Sequence, residues 1–264
     1  MKYASVSSEE LYVLLKIYAE RWVSGMVGFG TIINVAAIVA GGCAGLVFGG
    51  RLTERCQETL IKTIGAAVVF VGVGGTLQQM LHIEDGTITM TGTMMMIISL
   101  AIGALLGEWF DLDRRMDEFG RWLRTRTGNE KDTLFVDGFV IASLTVCIGA
   151  MAVVGSIEDG IHGNYSILAA KAVLDMIIVM TMTAAMGKGC IFSAIPVGIF
   201  QGTITLLAGA LSPIITDAAM SNLSYVGNIM IFLVGVNLLF DQKVRVANLL
   251  PALLIAYSWS FIVK

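Results

Sequence analysis

The chain has 264 residues, of which 56% are hydrophobic and 14% charged, with a net charge of −3 and a mean hydropathy of +0.81. Soluble domains carry about 25% charged residues, so this balance excludes an ordinary soluble enzyme. It also offers no basic stripe for nucleic acid. Repeated apolar runs long enough to cross a bilayer predict an all-α polytopic membrane protein, with residues 26–264 as one multi-pass domain. Thirty glycines against three prolines suit closely packed membrane helices. The fifteen methionines read as adaptable apolar filling.

Residues 1–25 read differently. Leu11, Leu14, Leu15 and Tyr18 share one helical face, opposite Glu9, Glu10, Lys16, Glu20 and Arg21. The pattern fits an interfacial helix, or an extension ahead of a true start at Met26. It does not fit a secretory signal.

The first predicted helix spans about Phe29 to Phe48, with Asn34 as its polar exception, either interhelical glue or a ligand. Gly41, Gly45 and Gly49 repeat every four residues, a spacing that lets helix backbones approach. Arg51, Glu54 and Arg55 mark a polar turn. The second helix, about Leu60 to Leu81, is interrupted by Gly65, Gly72, Gly74 and Gly75, an expected weakening of its second half. The third runs from about Ile88 to Phe110. Gly103 and Gly107 form another packing face, and Glu108 is expected at the surface beside Trp109. From Asp111 to Arg126, Leu112, Met116, Phe119 and Leu123 form one face among five arginines, which predicts an amphipathic helix on the membrane surface.

The fourth helix is predicted from about Leu134 to Ile157. The fifth, about Tyr165 to Met186, carries Lys171 and Asp175 four residues apart on one face. Each costs roughly 2.5–3.5 kcal/mol at a helix centre on insertion scales, so an ionisable residue at that depth is a functional candidate. The pair either lines a solute or ion path or is a structural clasp, with Lys171 reaching for the interface. After Gly187-Lys188-Gly189, the sixth helix runs from about Ile191 to Leu211. It contains Pro196, the Gly198 and Gly202 spacing, and Gln201. A proline- and glycine-interrupted membrane helix bearing an amide either exposes backbone to a substrate or is simply kinked. The seventh helix, about Tyr225 to Phe240, contains Asn228 and Asn237, and the eighth runs from about Val246 to Val263 with Pro251 and Trp259.

The loops after helices 1, 3, 5 and 7 hold three (counting Lys62 just inside the second helix), six, one and two basic residues, and the others hold none. The positive-inside rule assigns the basic loops to the cytoplasm. Gly30-Thr31-Ile32 recurs as Gly202-Thr203-Ile204, and Val71-Gly72-Val73 as Val234-Gly235-Val236. These matches leave open an inverted repeat relating helices 1–3 to helices 6–8, an arrangement found in transporters.

Cysteines 43, 56, 147 and 190 have no metal-site spacing, and His82 and His162 are expected in short loops. No cofactor, no metal and no nucleophile–base pair is expected, so the chain is not read as an enzyme.

Gly30-Thr31-Ile32-Ile33-Asn34, Gly138-Phe139-Val140, Ser143-Leu144 and Cys147-Ile148-Gly149-Ala150-Met151 together resemble a known family. Asp159-Gly160, Leu168-Ala169-Ala170-Lys171, Leu174-Asp175, Gly187-Lys188-Gly189, Phe192-Ser193-Ala194-Ile195-Pro196 and Gln201-Gly202 continue the likeness. It is to the YqgA-like bacterial membrane proteins, catalogued as domain of unknown function 554, from about Met26 onward. The resemblance implies a multi-pass inner-membrane protein of transport type and supplies no catalytic residues.

Two functional classes follow. The first is a channel or secondary transporter for sodium, protons or a small polar solute, with Asp175 as cation site, Lys171 as counter-ion, and Gln201, Asn34, Asn228 and Asn237 as neutral ligands. The second is a non-transporting sensor or assembly protein that uses its glycine faces for homo-oligomers and the Asp111–Arg126 helix for a partner. The lipid bilayer is the environment of both.

Overall fold

The computed structural model describes residues 27–50, 52–84, 86–211, 213, 215–240 and 244–262. The expectations for residues 1–25, for Met26 and for Arg51 lie outside the described residues.

The helices are α1 (Phe29–Gly49), α2 (Glu54–Met80), α3 (Thr93–Phe110), α4 (Leu112–Arg126), α5 (Phe135–Cys147), α6 (Ala150–His162), α7 (Ser166–Met186), α8 (Ala194–Leu206), the short α9 (Ala208–Leu211), α10 (Asp217–Phe240) and α11 (Leu250–Ile262). Single 3-10 turns, Lys188–Ser193 and Val246–Leu249, lead into α8 and α11. By length and composition α1, α2, α3, α7, Lys188–Leu206 and α10 are long and apolar enough to cross a membrane, and Val246–Ile262 is shorter. Against about eight spans expected, the described residues give six long helices, one bent pair and one shorter C-terminal helix.

Several expectations change. The predicted fourth helix is two, α5 and α6, bent by 62°. The cause is local: Ile148 takes extended angles, and Gly149 follows at φ 155° and ψ 148°, a region that side chains rarely adopt. The predicted third helix starts later, because Leu81–Glu84 and Thr87–Met90 form an antiparallel hairpin with Leu81 opposite Met90. His82 lies in that hairpin, not in a loop, and His162 ends α6 against Glu158. α2 continues unbroken through its four glycines. Pro196 stands in the first turn of α8, where a missing N–H costs nothing, so it does not kink an interior. α10 begins eight residues earlier than expected.

Glycines set the packing. α1 and α7 run parallel. A β-carbon on Gly41 would meet the Met176 carbonyl, on Gly45 the Met180 carbonyl, and on Gly49 the Ala184 carbonyl at 2.8 Å. α3 packs antiparallel on the last helix, with Gly103 on Ala252 and Gly107 on the Asn248 carbonyl. α2 and α10 are also antiparallel and cross at the two Val-Gly-Val segments. There a β-carbon on Gly72 would stand 2.5 Å from Phe232 N, and one on Gly235 would stand 2.6 Å from Val69 N. The two Gly-Thr-Ile segments differ: Gly30 abuts Leu168, while Gly202 has nothing within 4 Å. Gly202 is therefore not a packing glycine, and Gly198 meets only Val35 at 3.2 Å.

α4, the expected amphipathic helix, packs its apolar face on the body of the protein. Its Gly120 seats against Phe139 and Val136, Leu123 is buried, and the Phe119 ring lies 5.7 Å from that of Phe139. Asn248 ties its start down: its Oδ1 accepts from Asp113 N at 2.7 Å, and its Nδ2 donates to Glu108 Oε1 at 2.9 Å. Glu108, half-exposed as expected, also pairs with Arg245. Burial at this junction raises the Asp113 carboxyl above its usual range, and nearby Asp117 adds to the rise. Large apolar side chains such as Phe70, Leu105, Leu206 and Leu254 point outward, as a lipid-facing surface requires.

Candidate functional site

Four helices contribute one buried polar cluster. Along α1 the buried stripe is Thr31, Asn34, Ile38 and Gly41; along α7 it is Leu168, Lys171, Asp175, Val179 and Met182; along α8 it is Ala194, Val197, Gln201 and Thr205. These are helical spacings, so each stripe is one face. α8 runs antiparallel to α1, which brings Gln201 level with Asn34.

The bonds form a chain. Lys171 Nζ donates to Asp175 Oδ1 at 2.9 Å and to the Val146 carbonyl at 2.8 Å. Asn34 Nδ2 donates to Asp175 Oδ2 at 3.0 Å and to Gln201 Oε1 at 3.3 Å. Exposure is 0% for Asn34, 1% for Gln201, 3% for Asp175 and 8% for Lys171. Val146 is available because the chain leaves the helix at Ile148, out of the register in which residue 150 would donate to it. The broken helix therefore supplies a backbone dipole to the ammonium.

Two atoms in the cluster have no partner: Asn34 Oδ1 and Gln201 Nε2. Buried polar atoms are nearly always paired, so each unpaired one calls for an explanation. Here the charge on Asp175 sets the pattern. A carboxylate only accepts, so Asn34 turns its NH2 toward it and leaves its oxygen free. Gln201 in turn spends its oxygen on that NH2 and leaves its own NH2 free.

The other two predicted ligands lie elsewhere. Asn237 clamps the next loop, donating to the Val244 carbonyl at 2.8 Å and accepting from Val244 N at 3.0 Å. Asn228 packs against Gly75 at the α2–α10 crossing. Both sit on α10, which does not reach the cluster.

One buried acid was missed. Asp159 is fully buried and accepts from Gly30 N, at the start of α1, at 3.1 Å. Ending the predicted fourth helix at Ile157 hid it, since α6 continues to His162. The Asp159 carboxyl also faces the Thr31 and Gly28 amides, so it caps the start of α1, while the hydroxyls of Thr31 and Thr205 have no partner. Beyond the cluster in the other direction, Ile38, Ala142, Val179, Met182 and Val197 close into one apolar core.

A chemically different cavity of about 400 Å³ flanks the bend, lined by residues that include Cys147, Gly149, Pro196 and Phe200. It is almost wholly apolar and lies beside the break.

The sequence profile of the family described as "Protein of unknown function (DUF554)" matches residues 29–261. The chain is 30% identical over 227 residues to "Uncharacterized membrane protein YdfK" of Bacillus subtilis (strain 168), covering 86% of this chain and 93% of that one. It is 26% identical over 238 residues to "Uncharacterized protein YqgA" of Escherichia coli (strain K12), covering 88% and 95%. No solved structure matches the chain. With its membrane-length helices and a profile match over most of its length, this is a membrane protein of the DUF554 family.

Proposed function

We propose that the protein is a channel or secondary transporter for a small hard cation, centred on Asp175 in the bacterial inner membrane. The observation that carries this reading is the buried chain Lys171–Asp175–Asn34–Gln201 at a broken helix, with two amide atoms left unpaired. A clasp needs only the ion pair. It does not need two neutral amides converging on the same carboxylate and then left half-satisfied. A discontinuous membrane helix whose carbonyls face a polar site at mid-depth is a transporter feature.

In this proposal Lys171 holds Asp175 while the site is empty. An arriving cation takes oxygen ligands from Asp175 and Gln201, and from Asn34 after its amide turns to exchange NH2 for oxygen, and Lys171 keeps only the Val146 carbonyl. Oxygen ligands of this kind suit sodium. Orientation follows the basic loops, which places the α1–α2, α3–α5, α7–α8 and α10–α11 connections in the cytoplasm.

The test is sodium-driven flux in proteoliposomes. Asp175→Asn, which keeps the shape and removes the charge, is expected to lower flux at least ten-fold. Wild-type flux in that variant sinks the assignment.

A further inference from the structure

The cavity beside the bend is the chemical opposite of the central cluster. It holds about 400 Å³, and its walls include Cys147 of α5, Val153 of α6, Phe200 of α8, Leu223 of α10 and Leu254 of α11. The break itself opens onto this space: Gly149 lines it, and a β-carbon on Gly149 would meet no atom within 4 Å. The cavity lies level with the central cluster, because Cys147 follows Val146, whose carbonyl holds Lys171.

Its chemistry narrows what can fill it. Of the described lining residues, Ser143 alone carries a side-chain oxygen, and that hydroxyl is spent on the Phe139 carbonyl at 2.6 Å. A buried water needs about two to four polar partners, so this space stays dry. Left empty, an apolar space of this size forfeits dispersion contacts along all its walls. A polypeptide is a poor occupant. A helix with its side chains is about 10 Å across, so about one turn exhausts the volume, and an extended strand would bring in backbone groups that find no partners. A hydrocarbon chain is narrow, flexible and free of polar atoms. The bilayer supplies it at this depth, and Phe200 and Leu254, exposed as lipid-facing side chains are, stand at the rim.

We infer that this cavity is a binding site for one acyl chain of a membrane phospholipid, which enters between α8 and α11 and packs against the break at Gly149. The site goes beyond the transport reading and stands whether or not ions cross. A chain that binds the folded protein and not the unfolded one stabilises the bent arrangement.

The test uses full-length protein in vesicles of phosphatidylethanolamine and phosphatidylglycerol, doped with a phosphatidylethanolamine that carries a diazirine midway along one acyl chain. After illumination, adducts are mapped by mass spectrometry. Leu144 and Ile148 line the cavity and are buried, whereas Phe70 and Leu105 face outward. Lipid that only surrounds the protein labels the second pair; a seated chain labels the first pair as well. Adducts on Leu144 and Ile148 are expected to be at least as abundant as those on Phe70 and Leu105. Val153→Trp and Leu223→Trp, which fill the space from two different helices, should each lower the Leu144 and Ile148 adducts about ten-fold and leave those on Phe70 and Leu105 unchanged. Excess unlabelled oleic acid should do the same to the wild type, which needs no substitution to fold. Adducts confined to Phe70 and Leu105 would overturn the site, whether the space is then empty or filled by protein. Adducts on Leu144 and Ile148 that persist undiminished under oleic acid would overturn it too.

Discussion

At the scale of single residues, the central issue is what Lys171 and Asp175 do for each other. Both charges are desolvated, and removing one partner of such a pair typically costs about 3–5 kcal/mol, because the other is left uncompensated. Removing both in favour of apolar groups is often neutral. Lys171→Met alone is therefore expected to destabilise by roughly that amount, and Lys171→Met with Asp175→Leu to recover most of it, as read by thermal unfolding in detergent. A clasp predicts that the double variant also recovers its activity. The transport reading predicts a stable protein with no flux, so recovered flux in the double variant counts against it.

The residues of this cluster were unequally legible. Lys171 and Asp175 announce themselves by charge in an apolar run, and Asn34 and Gln201 by amides in apolar helices. Asn228 and Asn237 carry the same signal, yet they serve a helix crossing and a loop clamp. What separates the two kinds of asparagine is which helix neighbours which, and that is not written in hydropathy. Asp159 failed in the opposite way. Placed between a glutamate and a glycine it looks like a surface turn, but it lies in the last turn of α6, against the start of a helix 129 residues away.

At the scale of elements, the bend between α5 and α6 decides the chemistry. A continuous helix would have tied the Val146 carbonyl to the amide four residues on and left Lys171 only its second lone pair. The bend was invisible in sequence because Cys147-Ile148-Gly149-Ala150 contains no proline, and a lone glycine is common in membrane helices. Only its backbone angles single out Gly149. Gly149→Ala meets no atom within 4 Å, so any effect is conformational and not steric. The expected cost is about 1–3 kcal/mol, with a fall in flux as the backbone relaxes toward a helix and Val146 turns away from Lys171. Unfolding and flux measured together check this, and unchanged values for both would show that the bend does not depend on the glycine. The hairpin at 81–90 is a similar lesson. Apolar β-branched residues after a long helix read as the start of the next one, because period alone does not separate short strands from helix ends.

At the scale of the whole molecule, the pairing of helices carries directional information. α1 and α7 run parallel, while α2 with α10 and α3 with the last helix run antiparallel. These are the directions that the alternation of basic loops requires if α5 and α6 make one crossing. Residue 83 of the hairpin and residue 130 after α4 then lie on opposite sides. A single cysteine at Ile83→Cys in a background lacking the native cysteines is expected to react with an impermeant thiol reagent in intact cells, and one at Glu130→Cys only after the membrane is opened. The reverse pattern would invert the orientation.

By itself the amino-acid sequence determined the environment, the approximate spans and the identity of the costly charges. The reason is that a bilayer penalises each polar group residue by residue, and that penalty shows in composition. Glycine spacing likewise marked the faces of α1 and α3, because only small residues permit backbone contact. Only the tertiary structure decided which polar groups meet. The rotation of each helix and the antiparallel seating of α8 on α1 arise from packing between segments more than a hundred residues apart, and the break at Gly149 from backbone angles that composition does not reveal. That packing joins Asn34 and Gln201 to Asp175, sends Asn228 and Asn237 elsewhere, and draws Asp159 in from what looked like a turn.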